Sequence, residues 1–386
     1  MNLGFFIILS AQFLSALADN ALLFAAIALL KEFNAPDWHT PLLQEFFVIS
    51  YIILAPFVGP FADALPKGRV MLISNFIKFG GSLAMLLGVP PLYAYGVVGI
   101  GAAAYSPAKY GILTEYLPPD KLVWANSWME GSTVAAIILG AVIGGLLATI
   151  NPNFAVAVIT ALYLAAAGFN WYIPKVPIDH RMPKKNPVYI LHDFWHSFIA
   201  LWRDPQGQVS LSVTTLFWGA GATLRLVVIA WAAIALKFDL DHATQLTAVV
   251  AVGIAVGAYL AARFISLEHA VRALPAGIVM GVLVVLMVFV QDWRQASLLL
   301  FLIGALSGFF VVPLNALLQH RGHILIGAGH SIAVQNFNEN LGILIMIAAY
   351  TLMVKANLSI NLIVVAFGAF IILSMGAVYR IYRNQR

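Results

Sequence analysis

No cysteine occurs among the 386 residues, which excludes a disulfide, a thiolate metal site and a cysteine nucleophile. Charge is the next scarcity. Asp, Glu, Lys and Arg make up 10% of the chain, where a soluble domain carries about 25%, so a solvated surface of ordinary size is excluded. The chain also lacks a Walker A loop, a G-x-S-x-G elbow, an H-x-x-x-x-D pair and an H-E-x-x-H helix. The usual enzymatic arrangements of nucleophile, base and metal therefore have no counterpart here, and a protein without catalysis, cofactor or metal is expected. His320 and His323 stand three apart beside Arg321 with no acid nearby, which makes a poor ligand set.

What is present is apolar sequence: 62% of the residues are hydrophobic. Runs long enough to cross a bilayer fall at about 5–30, 42–62, 70–89, 92–114, 123–149, 154–173, 209–236, 244–264, 272–291, 296–319, 328–354 and 359–379. They predict an all-α polytopic membrane protein of twelve helices. The first run begins almost at Met1 with no basic segment or small-x-small cleavage site, and is expected to be retained. The one long connection, 174–207, divides the chain into halves at 1–173 and 208–386. Within it, Asn186 and Pro187 read as N-cap and N1. Val188, Leu191, Trp195, Phe198 and Trp202 follow at helical spacing, a pattern for a helix in the membrane interface. Lys and Arg placement orients the chain. Lys67, Arg69, Lys121, Lys175, Arg181, Lys184, Lys185, Arg203, Arg263, Arg272, Arg321, Arg380, Arg383 and Arg386 fall on the side of the termini, and only Lys31, Lys237, Arg294 and Lys355 on the other. Both termini are thus expected in the cytoplasm. The formal charge of +5 reflects this placement rather than nucleic-acid binding.

Charge inside the spans is costly, about 2.5–3.5 kcal/mol for an acid or base at the centre of an inserted helix. Asp19 is such an acid, and the repeat between the halves points to a partner. Span one ends in AIALLK and span seven in AIALK; Asp19 lies twelve residues before Lys31, and Arg225 twelve before Lys237. The two charges share a depth in equivalent helices, so a state-dependent Asp19–Arg225 pair is expected. Lys78 reads as a packing or snorkelling residue. Lys109, beside Tyr110 in SPAKYGIL, and Glu130 in span five are a second candidate pair. Spans five and eleven repeat an Asn and a Glu near their starts, Asn126 with Glu130 and Asn336 with Glu339. Span eleven carries two polar stripes, Gln335 with Glu339 and Asn336 with Asn340. With Asn20, Asn315 and Gln319 they predict a polar cavity. In the loop GPFADALPKGR, Gly59, Asp63, Gly68 and Arg69 resemble the G-x-x-x-D-(R/K)-x-G-(R/K) gating signature of the major facilitator superfamily, with Ala64 in place of the usual cation and the Gly displaced by two residues. The resemblance implies that Asp63 and Arg69 gate, and an acid there can meet a cation or a helix N-terminus in one state only. GIGAAA lies within a span and is no dinucleotide fingerprint. The G-x-x-x-G spacings at Gly140/Gly144, Gly253/Gly257, Gly277/Gly281 and Gly304/Gly308 predict close helix packing.

Six-plus-six repetition about a basic loop is the organisation of the major facilitator superfamily, whose halves rock about a midplane site. The strings AQFLSALADNALLFAAIALLK, GAAAYSPAKYGILTE, LFWGAGATLR, FFVVPLNALLQ and AVQNFNEN closely resemble the lysophospholipid transporters of that superfamily, found in Gram-negative inner membranes. The resemblance implies flipping of lysophosphatidylethanolamine and lysophosphatidylglycerol from outer to inner leaflet, without ATP. It also implies a functional partnership with an acyltransferase/acyl-carrier-protein synthetase that re-acylates them. Arg225 and Lys109 suit the phosphate, Asp19 or Glu339 an ammonium, and Asn20, Asn315, Gln319, Asn336 and Asn340 the hydroxyls. The same residues admit a second reading, an exporter of drugs or other small amphiphiles driven by protons through Asp19 or Glu339. A third is a membrane scaffold for the acyltransferase.

Overall fold

The computed structural model describes residues 3–36, 39–177, 186–238 and 240–384. Arg181, Lys184, Lys185 and Arg386 lie outside them. The described residues form thirteen α-helices: α1 (Leu3–Glu32), α2 (His39–Ala64), α3 (Lys67–Leu86), α4 (Pro91–Tyr116), α5 (Leu122–Ile150), α6 (Pro152–Trp171), α7 (Pro187–Arg203), α8 (Pro205–Ala235), α9 (Leu240–Phe264), α10 (Leu274–Leu286), α11 (Trp293–Ile326), α12 (Ala328–Lys355) and α13 (Ile360–Asn384). Short 3₁₀ turns flank α10 and extend that pass to Leu267–Phe289. Among the described residues, ten helices are both long and apolar enough to cross a membrane. The other two expected passes, α3 and α4, have 20 and 26 residues, enough for a bilayer at 1.5 Å per residue. They are less apolar because α3 carries Lys67, Arg69 and Lys78, and α4 is rich in Gly, Ala and Tyr.

Local chemistry sets several helix starts. α6, α7 and α8 each open on an Asx-Pro pair, in which the proline occupies a position whose N–H has no helical partner and the Asx side chain caps the turn. Asn151 accepts from Phe154 N at 2.9 Å, Asn186 from Val188 N at 3.0 Å and Asp204 from Gly207 N at 2.8 Å. Pro56 and Pro60 in α2, Pro107 in α4 and Pro313 in α11 lie inside continuous helices, as membrane helices tolerate.

The chain forms two compact units. The first gathers 1–118, 135–200 and 322–337. In it α3 packs on α4 and α6, α1 on α6 and α4, and α2 on α4. Gly140 and Gly144 bring α5 so close to α1 that a Cβ on Gly140 would lie 2.7 Å from that of Asn20. α7 buries Phe194, Ser197 and Leu201 and leaves Val188, Leu191 and Trp195 exposed; the exposed apolar face suits lipid. Its Phe194 and Phe198 rings meet Phe337 of α12 at 5.6 and 6.2 Å.

The second unit gathers 119–134, 201–321 and 338–386. In it α10 packs on α13, and α8 on α13 and α9. The expected glycine contacts hold here as well. Gly253 and Gly257 of α9 face Ala305 of α11, while Gly304 and Gly308 face Val250 and Ile254, so a side chain at any of them would strike opposing backbone.

Candidate functional site

The costly carboxylate of α1 finds its partner on α3. Lys78 Nζ donates to Asp19 Oδ2 at 2.6 Å and to Ser15 Oγ at 3.0 Å, and Ser15 donates onward to Asn75 Oδ1 at 2.8 Å. Tyr163 of α6 donates its hydroxyl to Asp19 Oδ1 at 2.8 Å. Lys78 Nζ also lies 4.7 Å from the Tyr105 ring centroid, within cation–π range. The residue is 1% exposed, so it is neither snorkelling nor mere packing. Asp19 thus pairs with Lys78 within its own unit, and Arg225 is exposed on α8. The reason is helical geometry. Gln12, Ser15 and Asp19 recur at i, i+3 and i+7 on α1, and Asn75, Lys78 and Ser82 at the same spacing on α3; each stripe lies on one helix face. These spacings stand in the sequence and were the signal for the pair.

A second charged cluster joins α2 to α12. Asp63 accepts from Gly329 N at 2.7 Å, His330 N at 3.0 Å and Lys67 Nζ at 2.7 Å, and meets His330 Nδ1 at 2.6 Å. The first N–H groups of a helix lack internal partners and carry the positive end of its dipole, so Asp63 caps α12 from another helix. Gly329 permits this approach, because a Cβ there would sit 2.6 Å from Asp63 Oδ1. The cation beside Asp63 is Lys67. Lys67 spends its donors on Asp63, on Ala62 O at 2.8 Å and on Glu115 at 3.0 Å, whereas Arg69 is exposed. His330 Nε2 reaches Asp193 of α7 at 3.1 Å, tying that helix to the same cluster. Lys67, Glu115, His330 and Asp193 are functional candidates beyond those the sequence reading named. Lys67 follows Asp63 by four residues across the α2–α3 junction, which was its signal.

In the second unit three amides interlock. Asn126 Nδ2 donates to Gln319 Oε1 at 2.9 Å and Gln319 Nε2 returns to Asn126 Oδ1 at 2.8 Å, with Asn315 Nδ2 at 3.2 Å. All three are buried. Nearby, Asp204 takes Arg321 Nε at 3.2 Å and also pairs with Nη2 of the same guanidinium. Burial acts to raise the Asp204 carboxyl, but the bonds from Arg321 and Gly207 N and the Arg321 charge outweigh it and hold it below the ordinary carboxylate range.

The remaining candidates are carried by α1, α4, α5 and α12. Asn20 bonds its own helix at Ala16 O, 2.8 Å away. Lys109 is half-buried with Nζ 4.3 Å from the Tyr110 ring centroid. Asn336 donates to Ser106 at 2.9 Å. Glu130 and Glu339 are buried and Asn340 half-buried.

Buried charge held between helices of a membrane bundle is the construction of a carrier. The family model described as Major Facilitator Superfamily matches residues 8–346. The chain belongs to the Major Facilitator Superfamily. This facilitator is 51% identical to the protein named lysophospholipid transporter LplT of Serratia proteamaculans (strain 568), over 90% of its own length and 88% of the relative's. It is 48% identical to that of Yersinia enterocolitica serotype O:8 / biotype 1B, over 93% and 89%. Among solved structures, the Escherichia coli fucose:proton symporter FucP superposes with a TM-score of 0.79 at 14% identity, covering 99% of this facilitator and 98% of the symporter. The human organic anion transporter MFSD10 gives 0.78 at 13%, covering 98% and 100%. At those identities the structural likeness speaks for the fold alone. The facilitator is a multi-pass membrane protein and not an enzyme.

Proposed function

We propose that this facilitator moves lysophospholipids across a bacterial inner membrane, from outer to inner leaflet, without ATP. The identity of about half its residues with proteins named lysophospholipid transporter, over about nine-tenths of their length, carries the reading. Chemistry supports it. A lysophospholipid presents a phosphodiester, hydroxyls and one acyl chain. Arg225, an exposed guanidinium on an otherwise uncharged helix, suits the phosphate bidentately. Lys109 draws the anionic headgroup inward. Asn20, Tyr110, Asn315, Gln319, Asn336 and Asn340 serve glycerol and headgroup hydrogen bonds, and Asp19 or Glu339 meets an ammonium. The halves 1–173 and 208–386 alternate access, joined by the linker 174–207. Asp63, Lys67, Arg69, Lys109 and Glu130 gate the side of the termini, which lies in the cytoplasm, where an acyltransferase/acyl-carrier-protein synthetase consumes the arriving lipid.

Purified protein in liposomes, supplied with lysophosphatidylethanolamine or lysophosphatidylglycerol, tests this directly. Lysolipid should cross faster than in protein-free liposomes, and Arg225→Ala should slow it by roughly tenfold or more, as loss of a charged hydrogen-bonding partner does. Movement no faster than in empty liposomes would overturn the reading, and an undiminished rate in Arg225→Ala would remove the phosphate role.

A further inference from the structure

His192 and His196 of α7 stand four residues apart, so they lie one turn above the other on a single helix face. The turn that carries them is held by the rest of its helix. Asn186 caps the start through Val188 N, Phe194, Ser197 and Leu201 are buried, and the Phe194 and Phe198 rings meet Phe337 of α12. Both histidines are exposed. Their Nε2 atoms are 3.1 Å apart and their ring centroids 4.2 Å. The nitrogens are closer than the rings, so the two imidazoles converge on their Nε2 corners. A straight N–H···N bond would hold the centroids farther apart still, because each nitrogen would then point at the other along the line of centres. The separation suits a shared ion instead. An imidazole nitrogen sits about 2.0–2.1 Å from a zinc ion, and two in neighbouring coordination positions are therefore about 2.9–3.4 Å apart.

We propose that His192 and His196 form a two-imidazole site for a divalent transition-metal ion, and that the bound ion clamps the middle of α7. Imidazole nitrogen selects copper, nickel and zinc over magnesium and calcium, which take oxygen. Among the described residues, no three His, Asp or Glu side chains gather as a ligand set, so the ion keeps water or an anion in its other positions and exchanges with solution. Such a site is open and reversible, unlike the structural and catalytic centres whose absence the sequence predicts. The clamp has a contact to act on. Asp193 follows His192 directly, and its carboxylate meets His330 Nε2 at 3.1 Å, while Nδ1 of the same ring meets Asp63 at 2.6 Å. Joining residues 192 and 196 through an ion fixes the turn from which Asp193 reaches that cluster.

Tag-free full-length protein in detergent, titrated with copper(II), nickel(II), zinc(II) or magnesium, tests the site. One ion should bind per chain, copper most tightly, nickel and zinc next, and magnesium not at all. The paramagnetic resonance of the copper complex should show coupling to two nitrogens. His192→Gln and His196→Gln should each weaken binding by roughly tenfold or more, since a single imidazole loses the intramolecular second bond, and the double variant should abolish it. Both side chains are exposed, so without metal these variants should melt with the unaltered protein. Amide exchange across 187–203 should slow with zinc in the unaltered protein and not in the double variant. Undiminished binding by the double variant would assign the ion to other histidines, and a one-nitrogen copper spectrum would leave only a hydrogen-bonded pair; either result overturns the site. Zinc bound at the pair without slower exchange overturns the clamp.

Discussion

Asp204 carries two duties with one carboxylate. It caps the first turn of α8 through Gly207 N and binds the Arg321 guanidinium of α11. Replacing a capping Asp by Ala costs about 0.5–2 kcal/mol, so Asp204→Ala should lower the midpoint of thermal or denaturant unfolding by a corresponding amount. The pH dependence has a definite sign. Its carboxyl is held below the unfolded value in the folded protein, so its contribution is full above the unfolded value of about 3.9 and is lost as pH falls through the folded one. The stability gap between wild type and Asp204→Ala should therefore close in acid and be constant at neutral pH. Asp63 and Lys67 are more deeply buried and bind each other, Glu115 and α12. Removing one partner of such a set strands the rest without compensation.

At the scale of elements, close approach depends on particular small residues. α5 lies against α1 through Gly144, where an added Cβ would be 2.7 Å from Ala21 Cα. Gly144→Leu must push the helices apart or strain them, at a cost of about 1–3 kcal/mol. Because α1 also carries Asp19 and Ser15, this variant should lose transport along with stability, read by melting and by lysolipid uptake on the same preparation. Gly329→Ala acts on another contact. Its Cβ would meet the Asp63 side chain at Oδ1, 2.6 Å away, and the α2 backbone at Gly59 O, 2.7 Å away. The variant should displace the α12 start from its cap and shift the balance between transport states, seen as an altered uptake rate with a modest change in Tm.

For the whole molecule, the absence of cysteine becomes a tool. A single introduced thiol is labelled without background, so Lys121→Cys and Lys31→Cys report the sides on which those residues lie. A membrane-impermeant thiol reagent added to intact cells with a permeable outer membrane should label Lys31→Cys at once and Lys121→Cys only after lysis, as the distribution of Lys and Arg requires. The reverse result would invert the orientation. Much of the architecture was legible beforehand for physical reasons. Apolar length marks which segments are long enough to cross a bilayer, the Asn186-Pro187 pair marks where α7 begins, and G-x-x-x-G spacing marks close helix packing. The site was legible in part. The sequence by itself established that Asp19 is too costly to stand alone and that the α2–α3 junction holds an acid able to meet a helix end. It did not decide the partners. Repeat symmetry relates residues of equal depth in different halves, and depth alone pointed to Arg225. Which side chain comes within 2.6 Å of Asp19 depends on which helix lies beside α1 and how it is rotated, and packing set Lys78 of α3 there. By the same logic Asp63 found the first turn of α12, 266 residues onward, a contact that only the tertiary structure decides.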